Sequence, residues 1–476
     1  MKTRFILPLL LSVVAIAQTP GTFTATGNLN TGRFHHTGTL LPNGKVLIAG
    51  GSYSHPTIGI DAYFDVLAGA ELYDPTTGRF TPAGNMTMHR SYHTATLLPN
   101  GKVLIVGGAR LTTGAQPPSA ELYDPITGTF TPTGDTTVAR LGSHSATLLN
   151  DGTVLIAGGL QDSGTAEIYD PSTGTFHAIA NTIVRHKAAI ATLLSDGRVL
   201  LDGGVPYTGA EIYDPAEGTF TFAGLGIDPS ESSPVAAALQ TNGEVLQTLG
   251  PACADCDSRG AELFDPTTRI FTATPQTPIT SGLYAGYDTA TLLPDGRVLT
   301  IGGQAELFDP TSSTFTPAGP MTLFRAGHTA TLLADGTVLI AGGQDVAGNA
   351  PGNTAEIYLP AALIPSPMLF SISGDGRGQG AIWHAETGQI ASAGSPAVAG
   401  EALSMYTTSL ADGGVIPPQI AVGGRLAEVL YCGTSSYPGY NQVNFRVPSG
   451  VAPGPAVSVR LTYIGRPSNA VTIGVQ

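Results

Sequence analysis

Four histidines stand at the same position of a segment that recurs along the chain, each three or four residues after an arginine. Neutral imidazole is a common ligand of transition metals, so four histidines in a ring could converge on one ion. A histidine that recurs with a repeat is also typical of a hydrogen-bonded fold residue, and other copies carry Ala189, Val235 and Asp288 instead. The candidate metal ligands are His36, His93, His144 and His328.

A second candidate site is the 18-residue loop from Ser52 to Gly69. Its aromatic and acidic side chains stand out in a chain with 7% aromatic and 12% charged residues. Long loops on rigid scaffolds often carry function, although such a loop can also simply pack its own rings. The candidate ligand-binding residues are Tyr53, His55, Asp61, Tyr63, Phe64 and Asp65.

Only three cysteines are present, so disulfides do not hold this fold together. The spacing of Cys253 and Cys256 favours a small local disulfide, with a two-cysteine metal site as the alternative. Cys432 has no partner that the sequence identifies.

The elements that would position these residues are strands and turns. The 476 residues include 62 Gly and 36 Pro, and the net charge is −14. A turn-rich, charge-poor and acidic composition disfavours helical bundles, coiled coils and nucleic-acid binders. Hydrophobic residues reach 42%, which is enough apolar surface for a folded core.

One pattern recurs seven times between residues 21 and 360: a strand ending in Leu-Leu, an Asn/Asp-Gly turn, an apolar strand, Gly-Gly and an Ala-Glu strand. An Asp-Pro turn and a short strand containing Phe complete most copies, so each unit is expected to be a four-stranded antiparallel sheet. The recurring Glu and Asp residues are periodic and are interpreted as scaffold. The last copy lacks its fourth strand, and Thr22-Phe23-Thr24 is an orphan copy of that strand. We expect it to pair near Ile357 and close a seven-bladed propeller.

Strand alternation places the loops after Gly-Gly on one face of this propeller. The longest of them follow the first copy (18 residues) and the second and seventh copies (11 residues each), which become neighbours when the ring closes. These loops are expected to form one contiguous rim.

The ends of the chain differ from the repeat. Residues 1–17 have basic Lys2 and Arg4, an apolar run and a small-residue cleavage site at Ala17, which indicates a secretory signal peptide and export. The propeller is assigned to residues 18–362, a proline-containing linker to 363–367 and a β-sandwich to 368–476.

The segment RSYHTATLLPNGKVLIVGG, from Arg90 to Gly108, with the Ala-Glu strand at residues 120–124, resembles a kelch repeat of the galactose-oxidase-like sort. The C-terminal segments resemble an immunoglobulin-like domain of secreted soil-bacterial proteins. The resemblance implies an all-β protein: a seven-bladed kelch propeller closed by its N-terminal strand, then an immunoglobulin-like sandwich.

The resemblance also implies one enzyme. Galactose oxidase and similar copper radical oxidases use a Tyr-His pair on a kelch strand, a Tyr crosslinked to Cys and a second-domain histidine. Tyr92-His93 matches the pair, but the blade that holds Cys253 has Pro234-Val235 there, and His384 is in no matching motif.

The sequence therefore favours an exported, non-catalytic binding module for an extracellular glycan or protein, without a cofactor. The alternative is a copper radical oxidase that acts on primary alcohols. No nucleic acid or membrane span is expected, and the oligomeric state is open.

Overall fold

The computed structural model describes residues 21–476 except 55–63, 109–118, 160–163, 187–189, 204–208, 228–231, 252–259, 276–288, 303, 346–351 and 411–415. Every regular element in these ranges is a strand. None of the residues described forms a helix of the length and apolarity that would be needed to cross a membrane. The signal-peptide prediction lies outside the described residues.

Seven four-stranded antiparallel sheets follow one another along the chain, as the repeat predicts. The strands of blades one to three are β2 (Thr37–Leu40), β3 (Val46–Ala49), β6 (Gly69–Asp74) and β7 (Arg79–Asn85); β8 (Thr94–Leu97), β9 (Val103–Val106), β10 (Ala120–Asp124) and β11 (Thr129–Pro132); β12 (Ser145–Leu148), β13 (Val154–Ala157), β14 (Ala166–Asp170) and β15 (Thr175–Ala178).

Blades four to six repeat the same arrangement. Their strands are β16 (Ile190–Leu193), β17 (Val199–Asp202), β18 (Ala210–Asp214) and β19 (Thr219–Gly224); β20 (Ser232–Leu239), β21 (Val245–Pro251), β22 (Gly260–Asp265) and β23 (Ile270–Ala273); β24 (Thr289–Leu292), β25 (Val298–Ile301), β26 (Ala305–Asp309) and β27 (Thr314–Pro317).

The seventh blade joins the two ends of the array. It contains β29 (Thr329–Leu332), β30 (Val338–Ala341), β32 (Ala355–Leu359) and β1 (Thr22–Ala25). Phe23 lies opposite Tyr358 and Thr24 opposite Ile357. The predicted closure is confirmed, and with it the contiguity of blades seven, one and two.

The core of the propeller lies between blades. The second strand of each blade begins with four consecutive buried residues, as the Val-Leu-Ile-Ala run of β3 illustrates. Tyr73 of blade one packs in one cluster with Leu333 and Leu339 of blade seven. Within each blade that aromatic ring meets the ring of the fourth strand, at 4.8 Å between centroids for Tyr73 and Phe80. Aromatic rings in this offset arrangement stabilise beyond their buried area.

Two small two-stranded sheets extend blades one and seven on the face that carries the long loops. They pair β4 (Ser52–Ser54) with β5 (Phe64–Val66), and β28 (Arg325–Ala326) with β31 (Gln344–Asp345).

The C-terminal domain is a single curled sheet of seven strands rather than two separate sheets. It contains β33 (Ile382–His384), β34 (Ala402–Thr407), β35 (Gln419–Val422), β36 (Arg425–Thr434), β37 (Asn441–Arg446), β38 (Gly454–Tyr463) and β39 (Arg466–Val475), in the spatial order β33-β34-β37-β36-β35-β38-β39. The long strand β36 pairs with β35 through its first half and with β37 through its second. The sheet therefore curls around one core that includes Leu403 and Val459, consistent with the expected sandwich.

The two domains are in contact at the face of the propeller opposite the long loops, which we call the flat face. Arg466 Nη1 donates to the Ile364 carbonyl at 2.6 Å, and Ser366 N donates to the Ala334 carbonyl at 2.8 Å. Between β38 and β39, Ile464 packs against the cores of the fifth, sixth and seventh blades.

Candidate functional site

The residues just before the repeated histidines lie on four neighbouring blades, seven, one, two and three, and backbone hydrogen bonds join them into a row that we call the inner ring. His35, Tyr92, Ser143 and Gly327 all have positive φ, between 52° and 70°. The N–H of His35 donates to the Gly327 carbonyl (2.9 Å), that of Tyr92 to His35 (3.1 Å) and that of Ser143 to Tyr92 (3.3 Å). Non-glycine residues with positive φ cost energy and cluster at functional sites. This inner ring is therefore the strongest candidate site.

Two side chains of the inner ring are in direct contact. The imidazole of His35 stacks on the ring of Tyr92, with centroids 4.0 Å apart and planes inclined by 26°. A Cβ atom at Gly327 would lie 2.9 Å from His35 Cδ2, so only glycine leaves room for this imidazole. Burial lowers the pKa of His35 to about 4. The imidazole is therefore neutral at pH 7, the form that binds metals.

The four repeated histidines lie between blades instead of converging on the axis. His93 Nε2 lies 3.1 Å from Thr37 Oγ1, and a Cβ at Gly50 would meet the His93 ring. His36, His144 and His328 make the same contact with a threonine of the preceding blade. Burial, and then the neighbouring arginine, lower the pKa of His93 to about 3.

The structure does not bring His36, His93, His144 and His328 together as a metal site. Within the described ranges, no three His, Cys, Asp or Glu side chains are placed to share an ion. The repeat explains why: each histidine occupies an equivalent position in its own blade, where it fixes that blade to the preceding one.

The arginine before each of these histidines forms a buried ion pair with the glutamate of the same blade. Arg90 Nε lies 2.9 Å from Glu121 Oε1, and both side chains are almost fully buried. Blades one, three and seven contain the pairs Arg33–Glu71, Arg140–Glu167 and Arg325–Glu356. In blade four His186 replaces the arginine and lies 3.0 Å from Glu211. The interpretation of these acids as scaffold agrees with their contacts.

Blade five departs from this arrangement. Residues 226–235 contain no Arg, Lys or His, and Glu262 Oε2 accepts the N–H of Ile227 at 2.8 Å. Burial raises the pKa of Glu262 to about 7. This carboxyl therefore titrates near neutrality.

The described ends of the candidate loop are the strands β4 and β5, which pair with each other. Tyr53 lies opposite Asp65, and Phe64 is opposite Ser54 in the backbone register. His55, Asp61 and Tyr63 lie outside the described residues, so ligand binding by this loop stays a prediction. Cys253 and Cys256 also lie outside them, and so does any disulfide between the two. Cys432 packs, half-buried, against the core of the C-terminal domain.

His384 is held in a Ser-His-Glu arrangement. Its Nδ1 lies 2.5 Å from Glu401 Oε1, and its Nε2 lies 3.3 Å from Ser395 Oγ. However, Nε2 is also 2.9 Å from the Ser395 carbonyl, which can only accept a hydrogen bond. Nε2 therefore carries a proton and is no base for the serine hydroxyl. This histidine fixes the loop of Ser395.

The sequence analysis missed His35. When the copies are aligned, the position before each repeated histidine holds a different residue in each copy, although the repeat around it is regular. These residues are His35, Tyr92, Ser143 and Gly327. Variation at a position that the scaffold does not constrain is the signal that would have identified it.

No family model matches the chain, and no curated protein matches it. Among solved structures, the chain is similar to one described as a novel fungal alcohol oxidase with catalytic diversity among the AA5 family, in complex with copper. The match covers 96% of this chain and 100% of that one, with a TM-score of 0.61 and 18% identity. The chain thus has the galactose-oxidase-like fold, a seven-bladed propeller followed by a β-domain, as the resemblance predicted.

This comparison corrects two expectations. The non-catalytic interpretation is wrong, because a structure that matches along nearly the whole chain is an alcohol oxidase, which favours the catalytic alternative. The expectation of no cofactor is wrong for the same reason, because that structure holds copper. Both expectations rested on the incomplete match to the copper-oxidase motif, in which Pro234-Val235 stands in place of the Tyr-His pair and His384 is in no matching motif.

Proposed function

We propose that the protein is a copper-dependent alcohol oxidase whose reaction takes place at the inner ring of the propeller. The observation that carries the proposal is the stacked pair of His35 and Tyr92, an imidazole and a phenol on neighbouring blades. The similarity in fold to a copper-bound alcohol oxidase supports the same activity.

The donor chemistry of this pair fits copper. Imidazole nitrogen suits copper, and His35 is neutral because burial lowers its pKa to about 4. The other residues that the resemblance suggested do not fit. The ring of His93 is engaged with Thr37, and His384 is bound to Glu401. The hairpin tip that reaches the propeller from the second domain carries Ile464 instead of a histidine.

The assigned donors are therefore His35 and Tyr92. Further donors would come from outside the described residues, where Tyr287 occupies the same repeat position as Tyr92. Bound copper would supply a redox centre that relays electrons from the alcohol to dioxygen.

The residues of this chain would position the reaction. The backbone hydrogen bonds among Gly327, His35, Tyr92 and Ser143 hold the inner ring rigidly, so the two donors keep one orientation. In the overall reaction a primary alcohol loses two electrons and two protons and becomes an aldehyde, while dioxygen becomes hydrogen peroxide. The Tyr92 phenol would hold a proton during this transfer.

Export remains part of the proposal. A signal peptide over residues 1–17 would deliver the enzyme outside the cytoplasm, where alcohols and carbohydrate hydroxyls are its prospective substrates. Its partners would then be small molecules rather than nucleic acid.

The test is metal analysis of the purified chain after incubation with Cu²⁺ and dialysis, followed by peroxide measurement with a panel of primary alcohols. We expect about one copper per chain and peroxide formation with at least one alcohol. A chain that retains no copper and forms no peroxide would refute the proposal.

A further inference from the structure

A cleft separates the flat face of the propeller from the C-terminal sheet, at the end of the axis opposite the long loops. In β38 the buried residues Val459, Leu461 and Tyr463 point into the domain core. The alternate residues Arg460 and Thr462 therefore face the propeller and line the cleft.

The cleft has a volume of about 720 Å³. Such a volume is typical of small-molecule sites, which occur preferentially where domains meet. It extends to the inner strands of the propeller, where Leu40, Leu97 and Leu332 contribute apolar surface. Ile464 and Ile126 complete this surface from the two domains. Ile126 is 93% exposed and replaces the small or polar residue found at this turn position in the other blades.

Two polar side chains in this apolar cleft have no partner among the described residues. The half-buried Arg460 guanidinium has no hydrogen bond or carboxylate partner within the described part of the chain, and burial alone lowers its pKa. Thr331 Oγ1 is buried and likewise has no hydrogen-bond partner among the residues described. A half-buried cation and a buried, unsatisfied hydroxyl are both stabilised when a ligand pairs with them.

The other charges at the cleft are already neutralised. Lys102 Nζ lies 3.2 Å from Asp124 Oδ2. Among the described residues that line the cleft, Arg460 is therefore the cation left to bind an anion. One cation beside an apolar surface favours a ligand with one negative charge and an apolar body.

We propose that this cleft binds a monocarboxylate with an apolar chain, its carboxylate on Arg460 and its body along Leu40, Leu97 and Leu332. Planar carboxylates match the guanidinium in bidentate hydrogen bonds. The site lies at the other end of the axis from the inner ring and is independent of the proposed oxidation.

The test measures binding of octanoate to the copper-free protein by titration calorimetry. Octan-1-ol is the probe that keeps the chain but lacks the charge, and acetate the probe that keeps the charge but lacks the chain. We expect octanoate to bind at least tenfold more tightly than either probe. Arg460→Met should weaken octanoate binding at least tenfold and leave octan-1-ol binding unchanged, and Thr331→Val should weaken octanoate binding about threefold.

Arg425→Met is the matched control, because Arg425 is on the same domain but lines a neighbouring polar cleft. It should bind octanoate as the unmodified chain does. Absence of octanoate binding at millimolar concentration, or equal affinity of Arg460→Met and the unmodified chain, would overturn the proposal. If Arg460→Met does not fold, Arg460→Lys is measured in its place. Lysine keeps the positive charge but cannot form the bidentate hydrogen bonds, so Arg460→Lys should bind octanoate more weakly than the unmodified chain. Copper plays no part in these measurements, so failure here and failure of the oxidase are separate results.

Discussion

The His35 imidazole stacks on the Tyr92 ring at 4.0 Å, and the Tyr92 N–H donates to the His35 carbonyl at 3.1 Å. One ring contact and one backbone bond thus join two neighbouring blades at the axis. The relationship makes each residue dependent on the other for its orientation.

Removing the donors of this pair should abolish copper binding without unfolding the chain. His35→Asn keeps a residue type that tolerates positive φ, and Tyr92→Phe keeps the stacked ring. We expect each to lower copper affinity at least tenfold, measured by competition with a chromogenic chelator. Tyr123→Phe is the control, because the buried Tyr123 hydroxyl has no hydrogen-bond partner among the described residues and blades five and six carry Phe at this position. Unchanged copper affinity in both variants would contradict the assignment.

Closure of the ring should depend on Phe23. Its ring lies 4.9 Å from that of Tyr358, as Phe176 lies 4.7 Å from Tyr169 in blade three. Phe23→Ala and Phe176→Ala should each cost about 2 kcal/mol, because both rings are half-buried. Only Phe23→Ala should accelerate amide hydrogen exchange in β32, since β1 is the strand that covers that edge. Equal protection of β32 in the two variants would count against closure by this strand.

The buried pair of Arg90 and Glu121 should be costly to break. Arg90→Met leaves a buried carboxylate without its cation and should destabilise the chain by about 3–5 kcal/mol. Chemical denaturation followed by tryptophan and tyrosine fluorescence measures the loss. The double variant Arg90→Met with Glu121→Leu should recover much of it, because it leaves no unpaired charge. A loss below about 1 kcal/mol in Arg90→Met would show that the pair contributes little.

Glu262 should make stability fall as the pH rises from about 4.5 to about 7. Burial raises its folded pKa to about 7, so in this range the folded chain holds a proton that the unfolded chain releases. Glu262→Gln should remove this fall and raise the thermal midpoint at pH 8 relative to the unmodified chain, with little effect at pH 4. Glu217→Gln, at an exposed turn of blade four, is the control and should leave the pH profile unchanged. An identical profile in Glu262→Gln would refute the pKa assignment.

His384 should stabilise the C-terminal domain in acid and lose that effect in base. Burial opposes its protonation, but the hydrogen bonds to Glu401 and to the Ser395 carbonyl outweigh burial and raise its pKa above 6.5. The contribution is present below the unfolded pKa and disappears as the pH rises through the folded pKa. NMR titration of the His384 ring gives this pKa directly, and Glu401→Gln should lower it. A pKa at or below 6.5 in the unmodified chain would exclude the effect.

The propeller could be predicted because the turn and strand residues that specify each blade are close together in the sequence and recur in every copy. Asn43-Gly44 shows this: the Gly44 N–H donates to the Leu41 carbonyl, and its φ of 81° is one that glycine adopts without strain. Seven copies of such a turn, together with the extra copy of the fourth strand at residues 22–24, indicate seven blades and their closure. The curled C-terminal sheet was less predictable, because the sharing of β36 between two neighbours depends on long-range pairing.

The site was predicted less well than the fold. Tyr92 was recognised through its motif, but His35 was passed over, and the four repeated histidines were considered as possible ligands. Histidine is a residue type that binds metals, but the positions of these four between blades keep them from sharing one ion.

By itself, the amino-acid sequence determined the blades, their number and the strand that closes the ring, because turn chemistry and strand alternation act between near neighbours. Only the tertiary structure decided which side chains meet across blades and across domains, such as His35 with Tyr92, or Arg460 and Thr331 around one cleft. Those contacts depend on how separate sheets are arranged in space, and no local propensity specifies that arrangement.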